Sequence, residues 1–532
     1  MSIDDQSRDF GAAKADGVSA PEADTPENAG AEAGEPTPLV LAARRTHHER
    51  QARSWPNALG EIGELLAIAR DADVFRGDDG LIYARVPHRD GHATWLLNSQ
   101  DFVGWLSLTY MTEQGDVASD GDVKSAIRII GQWCRLNGPV LPVALRVAEC
   151  AHAIWLDLGD ETGAAVAITR EGWRVIDTPP VCFRRPVGLQ ALPRPESGGS
   201  LTMLGRHFNV DEDDCLLLTA WLLGCLRPSA PQVILALASA QGSAKSTTAA
   251  LLGRLIDPGA AHLEVLPKSE KALLAAADQR HLLAFDNASS LTLAMSDALC
   301  RISTGAGRVM QVDKLDVAVT VRRPVILTGI PDLIRRPDLA DRTLRIRLAP
   351  IEGVARRTDA DVRAAFAADH PRLLGALLDA AAVGLRRLPE VTGPLPRMAD
   401  FTRWVLACAP GFTSPERLRA LLQANALSVS GDVLFENPLG VALCRLLEET
   451  PEWVGTASRL LVALRHVAPK GGGTLPATPE RLSRGLSEIE EDLRRHGIRI
   501  EKRRAGKSGE RQILLTRTLP DGRRAEASED AA

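Results

Sequence analysis

The stretch that decides the fold is VILALASAQGSAKSTTAALLGRLIDP, residues Val233 to Pro258. Val233 to Ala238 is an apolar run of strand length, the residues from Lys245 onward have helical spacing, and a loop of small residues joins them. This is the setting of the G-x-x-x-x-G-K-[ST] loop, where backbone N–H groups and a helix N-terminus face phosphate oxygens. Ser239 and Ala244 stand where that pattern asks for glycine. Glycine tolerates positive φ and close backbone approach, and Ser and Ala are the next smallest residues, so the loop is strained at worst. Gly242 still supplies one free position. On this reading Ser239, Ala240, Gln241, Gly242, Ser243, Ala244, Lys245, Ser246 and Thr247 form the nucleotide cradle. Lys245 reaches the β- and γ-phosphates of ATP, and Ser246 ligates Mg²⁺. The competing reading is a chance match in an Ala-rich chain.

Two further apolar strands end in polar residues at short distances. His281 to Asn287 (HLLAFDN) runs into Asp286, 41 residues after the lysine, where a carboxylate can hold the Mg²⁺ water shell. Pro324 to Ile330 (PVILTGI) ends in the hydroxyl of Thr328, 42 residues further on. RRPDLADR then brings Arg342 to the start of the strand LRIRL. An arginine there can stabilise γ-phosphate charge, commonly in a neighbouring subunit. It can equally be a surface residue paired with Asp338 or Asp341.

This set of residues resembles the superfamily 3 helicases of the AAA+ class, in particular phage and plasmid primase-helicases. The likeness rests on the short gaps between GSAKST, LLAFDN and PVILTGI. It rests also on LCRISTGAGRVMQVDKLDVAVTVRRP, which is similar to the family's Thr-Gly turn and basic β-hairpin. The resemblance implies a hexameric ring with ATP at subunit interfaces and single-stranded DNA in the central pore. It implies Lys245 and Ser246 in the first Walker motif, Asp286 in the second, Thr328 as the polar sensor, Arg342 as the arginine finger and Lys314 on the pore hairpin. Asn287 departs from the pattern, because an acid should follow Asp286. Asn can orient a water but cannot accept its proton. Lys314 can instead pair with Asp313 or Asp316.

Outward from this core, 532 residues require several domains. At 45% hydrophobic and 25% charged residues the chain is of globular type. The net charge of -5 is uneven, since residues 1–38 hold nine acids against two bases and the rest is slightly positive. That segment is expected to be a disordered acidic tail. Eight scattered cysteines, without a C-x-x-C pair, suggest neither zinc nor disulfides, and a cytoplasmic location is expected. No leader of basic and apolar type opens the sequence, and Cys215 to Leu226, the longest apolar run at 12 residues, is too short for a membrane span.

The expected architecture is α/β: an AAA+-like P-loop ATPase core at 201–350, preceded by an α+β domain at 39–200 and followed by a helical segment at 351–435. Antiparallel strands are expected at Ala153 to Leu158, Ala165 to Thr169 and Trp173 to Ile176. Residues 436–517 show three helical patterns and then two short strands around Arg504 to Gly509, the order of a winged helix, before a tail at 518–532. Within that segment Leu482, Leu486, Ile489 and Leu493 share one helical face, with Arg481 and Arg484 off it. Arg494 to Arg511 holds eight bases against two acids, Lys502, Arg503, Arg504 and Lys507 among them. Such a helix and wing suit a duplex DNA groove, although a solvated basic hairpin has the same composition.

The leading functional expectation is an ATP-driven DNA helicase or translocase that replicates a mobile element and works beside a separate primase. A DNA-bound ATP switch without unwinding is the alternative that Asn287 favours. A small-molecule kinase is disfavoured by the sensor, the finger and the basic C-terminal segment.

Overall fold

The computed structural model describes residues 58–518, apart from 89–90, 240–242, 313–314, 330–332, 352–356, 470–473 and 506–509. The described chain begins with helix α1 (Glu61–Ile68) and strands β1 (Asp73–Gly77), β2 (Ile82–His88) and β3 (Gly91–Leu96), followed by α2 (Gln100–Gln114), α3 (Asp120–Asn137) and β4 (Val140–Leu141). The sheet order is β3-β2-β1-β4, antiparallel except that β4 runs parallel to β1. Ser99 and Ser119 cap α2 and α3 by accepting from the N–H groups of Phe102 and Asp122, which satisfies donors the helices leave open. Leu65, Phe102, Leu106 and Ile130 fill the core beneath this sheet.

Strand β5 (Val143–Ala144) leads into the meander β6 (Val147–Cys150), β7 (Ala153–Asp157), β8 (Ala165–Ile168) and β9 (Trp173–Ile176), and β10 (Cys182–Phe183) returns to pair with β5. The three strands expected from alternation are therefore present and antiparallel. One face of the meander, through Ile154, Leu156, Val166 and Ile168, shares a hydrophobic core with the helices and sheet that follow. Arg146 locks this junction from a fully buried position. Its Nε donates to Asp257 Oδ1 at 2.9 Å, and its Nη atoms donate to the carbonyls of Asp157, Gln190 and Pro258.

Next come α4 (Glu212–Cys225), β11 (Ile234–Ala238), α5 (Lys245–Ile256), β12 (Glu264–Val265), α6 (Glu270–Ala277), β13 (Leu283–Ala288), α7 (Leu293–Thr304), β14 (Ala306–Val312), β15 (Leu315–Val321), β16 (Val325–Gly329), α8 (Pro337–Ala340) and β17 (Thr343–Arg347). Five of the strands form one parallel sheet in the order β12-β13-β16-β11-β17. A parallel sheet is covered on both faces, which is why its three inner motif strands β11, β13 and β16 begin as continuous apolar runs. Along β11, Leu235 and Leu237 enter the core with α4 and α5, while Ile234 and Ala236 enter the opposite core with α6 and α7. The segment between the second and third motif strands is the hairpin β14–β15, paired from Ala306↔Val321 to Val312↔Leu315.

Helices α9 (Asp359–Arg387), α10 (Ala399–Cys408) and α11 (Pro415–Glu436) close over the sheet. Leu373, Leu374, Leu377 and Leu378 are fully buried there, and Leu385 packs at the edge. A separate core follows, built from α12 (Pro438–Glu449), β18 (Glu452–Gly455), α13 (Ala457–Val467), α14 (Pro479–Arg495), β19 (Ile498–Ala505) and β20 (Glu510–Arg517). Its antiparallel sheet has the order β18-β20-β19. The two last strands are eight residues each, longer than expected, and β18 is an added third strand. Among the described residues no helix is long and apolar enough to cross a membrane.

Candidate functional site

Ala244 stands immediately before α5 with φ 62° and ψ 32°, in the left-handed region, and makes no side-chain cap. This is the position where the loop pattern asks for glycine, and the backbone adopts the glycine-like conformation without it. For an alanine that conformation costs about 1 kcal/mol. Ser239, the other substituted position, anchors the lysine: Lys245 Nζ donates to Ser239 O at 2.9 Å and to Ser239 Oγ at 3.3 Å. Ser239 Oγ also contacts Ser243 Oγ. The serine thus adds an acceptor that glycine lacks. Ala240, Gln241 and Gly242 lie outside the described residues.

Three motif residues meet on one carboxylate oxygen. Ser246 Oγ donates to Asp286 Oδ1 at 2.9 Å, and Thr328 Oγ1 donates to the same oxygen. Thr328, buried on β16, in turn accepts from the backbone N–H of Asn287 at 2.9 Å. The strand order explains the convergence. β16 lies between β13 and β11, so all three residues sit at or just beyond the C-terminal ends of adjacent parallel strands, where ligands bind in open α/β sheets. The register of β13 shifts between Phe285 and Ala288, and Asn287 takes φ 53°. This bulge takes Asp286 and Asn287 out of the ladder with β16, while Asp286 stays paired with Val265 of β12. Gly329 permits it, because a Cβ there would meet the Ala288 carbonyl oxygen at 2.4 Å. The Asn287 side chain is exposed. Thr247 lies on α5 beside Ser246, half-buried.

A hydroxyl and a carboxylate held together beside a helix N-terminus fit an octahedral, oxygen-preferring Mg²⁺ that keeps part of its water shell. Lys245 and the N-terminus of α5 fit a polyphosphate.

Arg342 lies elsewhere. It precedes β17, whose Thr343 pairs with Ile234 at the start of β11, whereas the loop follows Ala238 at its end. The strand between spans about 15 Å. Arg342 is half-buried and its Nη1 donates to the Asp338 carbonyl at 2.5 Å, while its Nε has no hydrogen-bond partner among the described residues. Neither expected carboxylate pairs with it. Asp341 is instead engaged by Arg397 and Arg495, a junction that spacing could not disclose because Arg495 is 154 residues away. Lys314 lies outside the described residues, between the strands of the hairpin.

At the C-terminal unit, Arg481 and Arg484 are exposed on α14, and Arg503 and Arg504 are exposed on β19. A groove of about 630 Å³ is lined by Arg484, Arg503 and Arg504 together with Lys502, Arg511 and Glu480. Lys502 donates to Ser487 Oγ at 2.8 Å and lies 3.5 Å from Glu490. Lys507 is outside the described residues. Arg495, counted with the basic run in the sequence, turns away from this groove toward Asp341.

Comparison with known proteins follows this division. Residues 200–426 match the model of the actinomycete integrative conjugative element replication protein, and residues 439–528 match the C-terminal domain model of the same protein, RepA. No curated protein matches the chain. Among solved structures, the active helicase Cch of SCCmec type IV is 12% identical over 84% of this chain and 93% of its own, with a TM-score of 0.47. The apo C-terminal region of NrS-1 is 9% identical over 85% of this chain and 97% of its own, with a TM-score of 0.41. Neither model alone spans half of the sequence; over residues 200–426 and 439–528 the chain is similar to the replication proteins of actinomycete integrative conjugative elements.

Proposed function

We propose that this replication protein is an ATP-dependent DNA translocase and helicase of superfamily 3 type. The observation that supports it is the convergence of Ser246, Asp286 and Thr328 on one oxygen beside Lys245. In this reading residues 201–350 are the ATPase core, 39–200 precede it, 351–435 are a helical segment, and 436–517 are a winged helix that holds duplex DNA through Arg481, Arg484, Lys502, Arg503, Arg504 and Lys507. The helix-strand-helix-helix-strand-strand order of the last unit supports that assignment.

Lys245 holds the β- and γ-phosphates, and Ser246 and Asp286 hold Mg²⁺, which when bound neutralises charge on the phosphate oxygens. Thr328 fixes the Asp286 carboxylate and, through the Asn287 N–H, the turn of the bulge. Asn287 orients the attacking water. With no acid at that position, catalysis relies on positioning and charge, and hydrolysis is slow. Arg342, remote from its own loop, serves a neighbouring subunit. That requires a closed homo-oligomer, for which we propose a hexamer with single-stranded DNA contacted by Lys314. Primer synthesis belongs to another chain.

Steady-state ATP hydrolysis with and without single-stranded DNA tests this reading. We expect Mg²⁺-dependent turnover that single strands stimulate and that Asp286→Asn abolishes. Asn287 also supports a second reading, an ATP switch. ATP-driven assembly on DNA without turnover would select the switch over the motor.

A further inference from the structure

Helix α14 faces different surroundings at its two ends. Near its N-terminus, Arg481 and Arg484 are exposed beside the basic groove. At its C-terminus, Arg495 Nη1 lies 2.5 Å from Asp341 Oδ1, in the turn that directly precedes Arg342. Fourteen residues of helix separate Arg481 from Arg495, a distance of about 21 Å. Leu482, Leu486, Ile489 and Leu493 are buried along one face, so the helix moves with its unit as one body.

The junction at the C-terminal end has two seats for the Arg495 guanidinium. In the first, Asp341, whose side chain is 6% exposed, is shared between Arg495 on Oδ1 and Arg397 on Oδ2. The second is Asp492, one turn back on α14, with its Oδ1 at 3.7 Å from Arg495 Nη1. Asp492 is 2% exposed; its Oδ1 accepts from Ser430 of α11 at 2.6 Å, and its Oδ2 has no hydrogen-bond partner among the described residues. A buried acceptor without a donor is costly, so a donor moving toward Asp492 is rewarded as it leaves Asp341. Glu491, 3.6 Å from Arg495 Nε, lies on the path. Beside the junction a cavity of about 340 Å³, bordered by Asp341, Arg342, Arg397 and Arg495, gives the Arg342 side chain room to change its aim.

We propose that Arg495 and Asp341 are positioning residues: they couple duplex DNA bound by the C-terminal unit to the placement of Arg342, and through Arg342 to ATP hydrolysis in the adjacent subunit. The inference rests on the proposed finger role of Arg342. Duplex binding in the groove shifts α14, Arg495 exchanges Asp341 for Asp492, and the released turn re-aims Arg342. Asp341 stays held by Arg397 alone.

The test uses the full chain as wild type, Arg495→Ala, Arg495→Lys and Arg342→Ala. It measures kcat and KM for ATP with and without saturating duplex, duplex affinity by anisotropy, and thermal melting. In the wild type we expect duplex to change kcat at least about fivefold, the lower range of allosteric coupling. Arg495→Ala should lose that response while duplex affinity and the KM for ATP stay within about twofold, since it touches neither ligand. Arg495→Lys should recover part of it, because lysine keeps the charge and loses the fork. A wild-type kcat indifferent to duplex, or a full response in Arg495→Ala, overturns the coupling. So does a loss of basal kcat in Arg495→Ala that accompanies a lowered melting temperature and is not recovered by lysine. If Arg342→Ala hydrolyses ATP like the wild type, the finger role itself fails. If Arg342→Ala is inactive while Arg495→Ala still responds to duplex, only the coupling fails.

Discussion

Ala244 carries the clearest residue-scale consequence, because an L-residue there holds a left-handed backbone that glycine adopts freely. Ala244→Gly should be neutral or stabilising by up to about 1 kcal/mol, and should not weaken ATP binding. Thermal melting with nucleotide titration checks this, and a loss of stability would mean that the loop is not strained at this position. Lys245→Ala should abolish ATP affinity with little change in melting, since the ammonium contacts Ser239 at the surface of the loop and supports no core. Unchanged affinity would remove the loop from the nucleotide site. His370 gives a pH dependence: burial pushes its imidazole down to about 4. The folded state then binds fewer protons than the unfolded one between about pH 4 and 6.5, so the stability present at pH 7 declines as pH falls through that window. His370→Phe should flatten the decline by about 2 kcal/mol at pH 5. Equal acid sensitivity in the two proteins would assign the decline to other groups. Residue types and spacing made Lys245, Ser246, Asp286 and Thr328 legible, because each follows an apolar strand. The part of Ser239 as acceptor for the lysine was not legible, since it uses a main-chain carbonyl present at every position.

Among the elements, β11, β13 and β16 could be read directly because burial on both faces leaves an apolar signature, whereas the short, exposed edge strand β12 leaves none. The bulge in β13 could not, because it depends on the Gly329 backbone lying against Ala288. The meander β6 to β9 was legible as strands by alternation, yet its shared core with the five-stranded parallel sheet was not, since long-range packing leaves no periodicity. The groove between α14 and β19 gives an electrostatic prediction. Replacing Arg481, Arg484, Arg503 and Arg504 by alanine leaves the buried face of α14 intact, so the unit should stay folded. Duplex affinity should fall, and the slope of log affinity against log salt should shrink by up to about 0.9 for each phosphate that an arginine no longer neutralises. A mutant with the wild-type slope would show that these arginines are only solvated.

Over the whole molecule, Arg342 and the phosphate loop lie at opposite ends of the same sheet. If Arg342 acts on the nucleotide as proposed, it does so from a neighbouring subunit. Mixing Lys245→Ala with Arg342→Ala, each inactive alone, should restore part of the hydrolysis through interfaces that combine an intact loop with an intact arginine. No recovery over a range of mixing ratios speaks against action in trans. Such relations, like the contact of Arg495 with Asp341 across 154 residues, have no trace in local sequence. The most direct measurement is ATP-dependent separation of a forked DNA duplex by the purified full chain, with Lys245→Ala and Arg342→Ala as controls. Strand separation by the wild type, and by neither variant, is the expected result. ATP binding and assembly on the fork with no strand separation under any nucleotide condition would contradict the motor and leave an ATP-responsive DNA-binding switch.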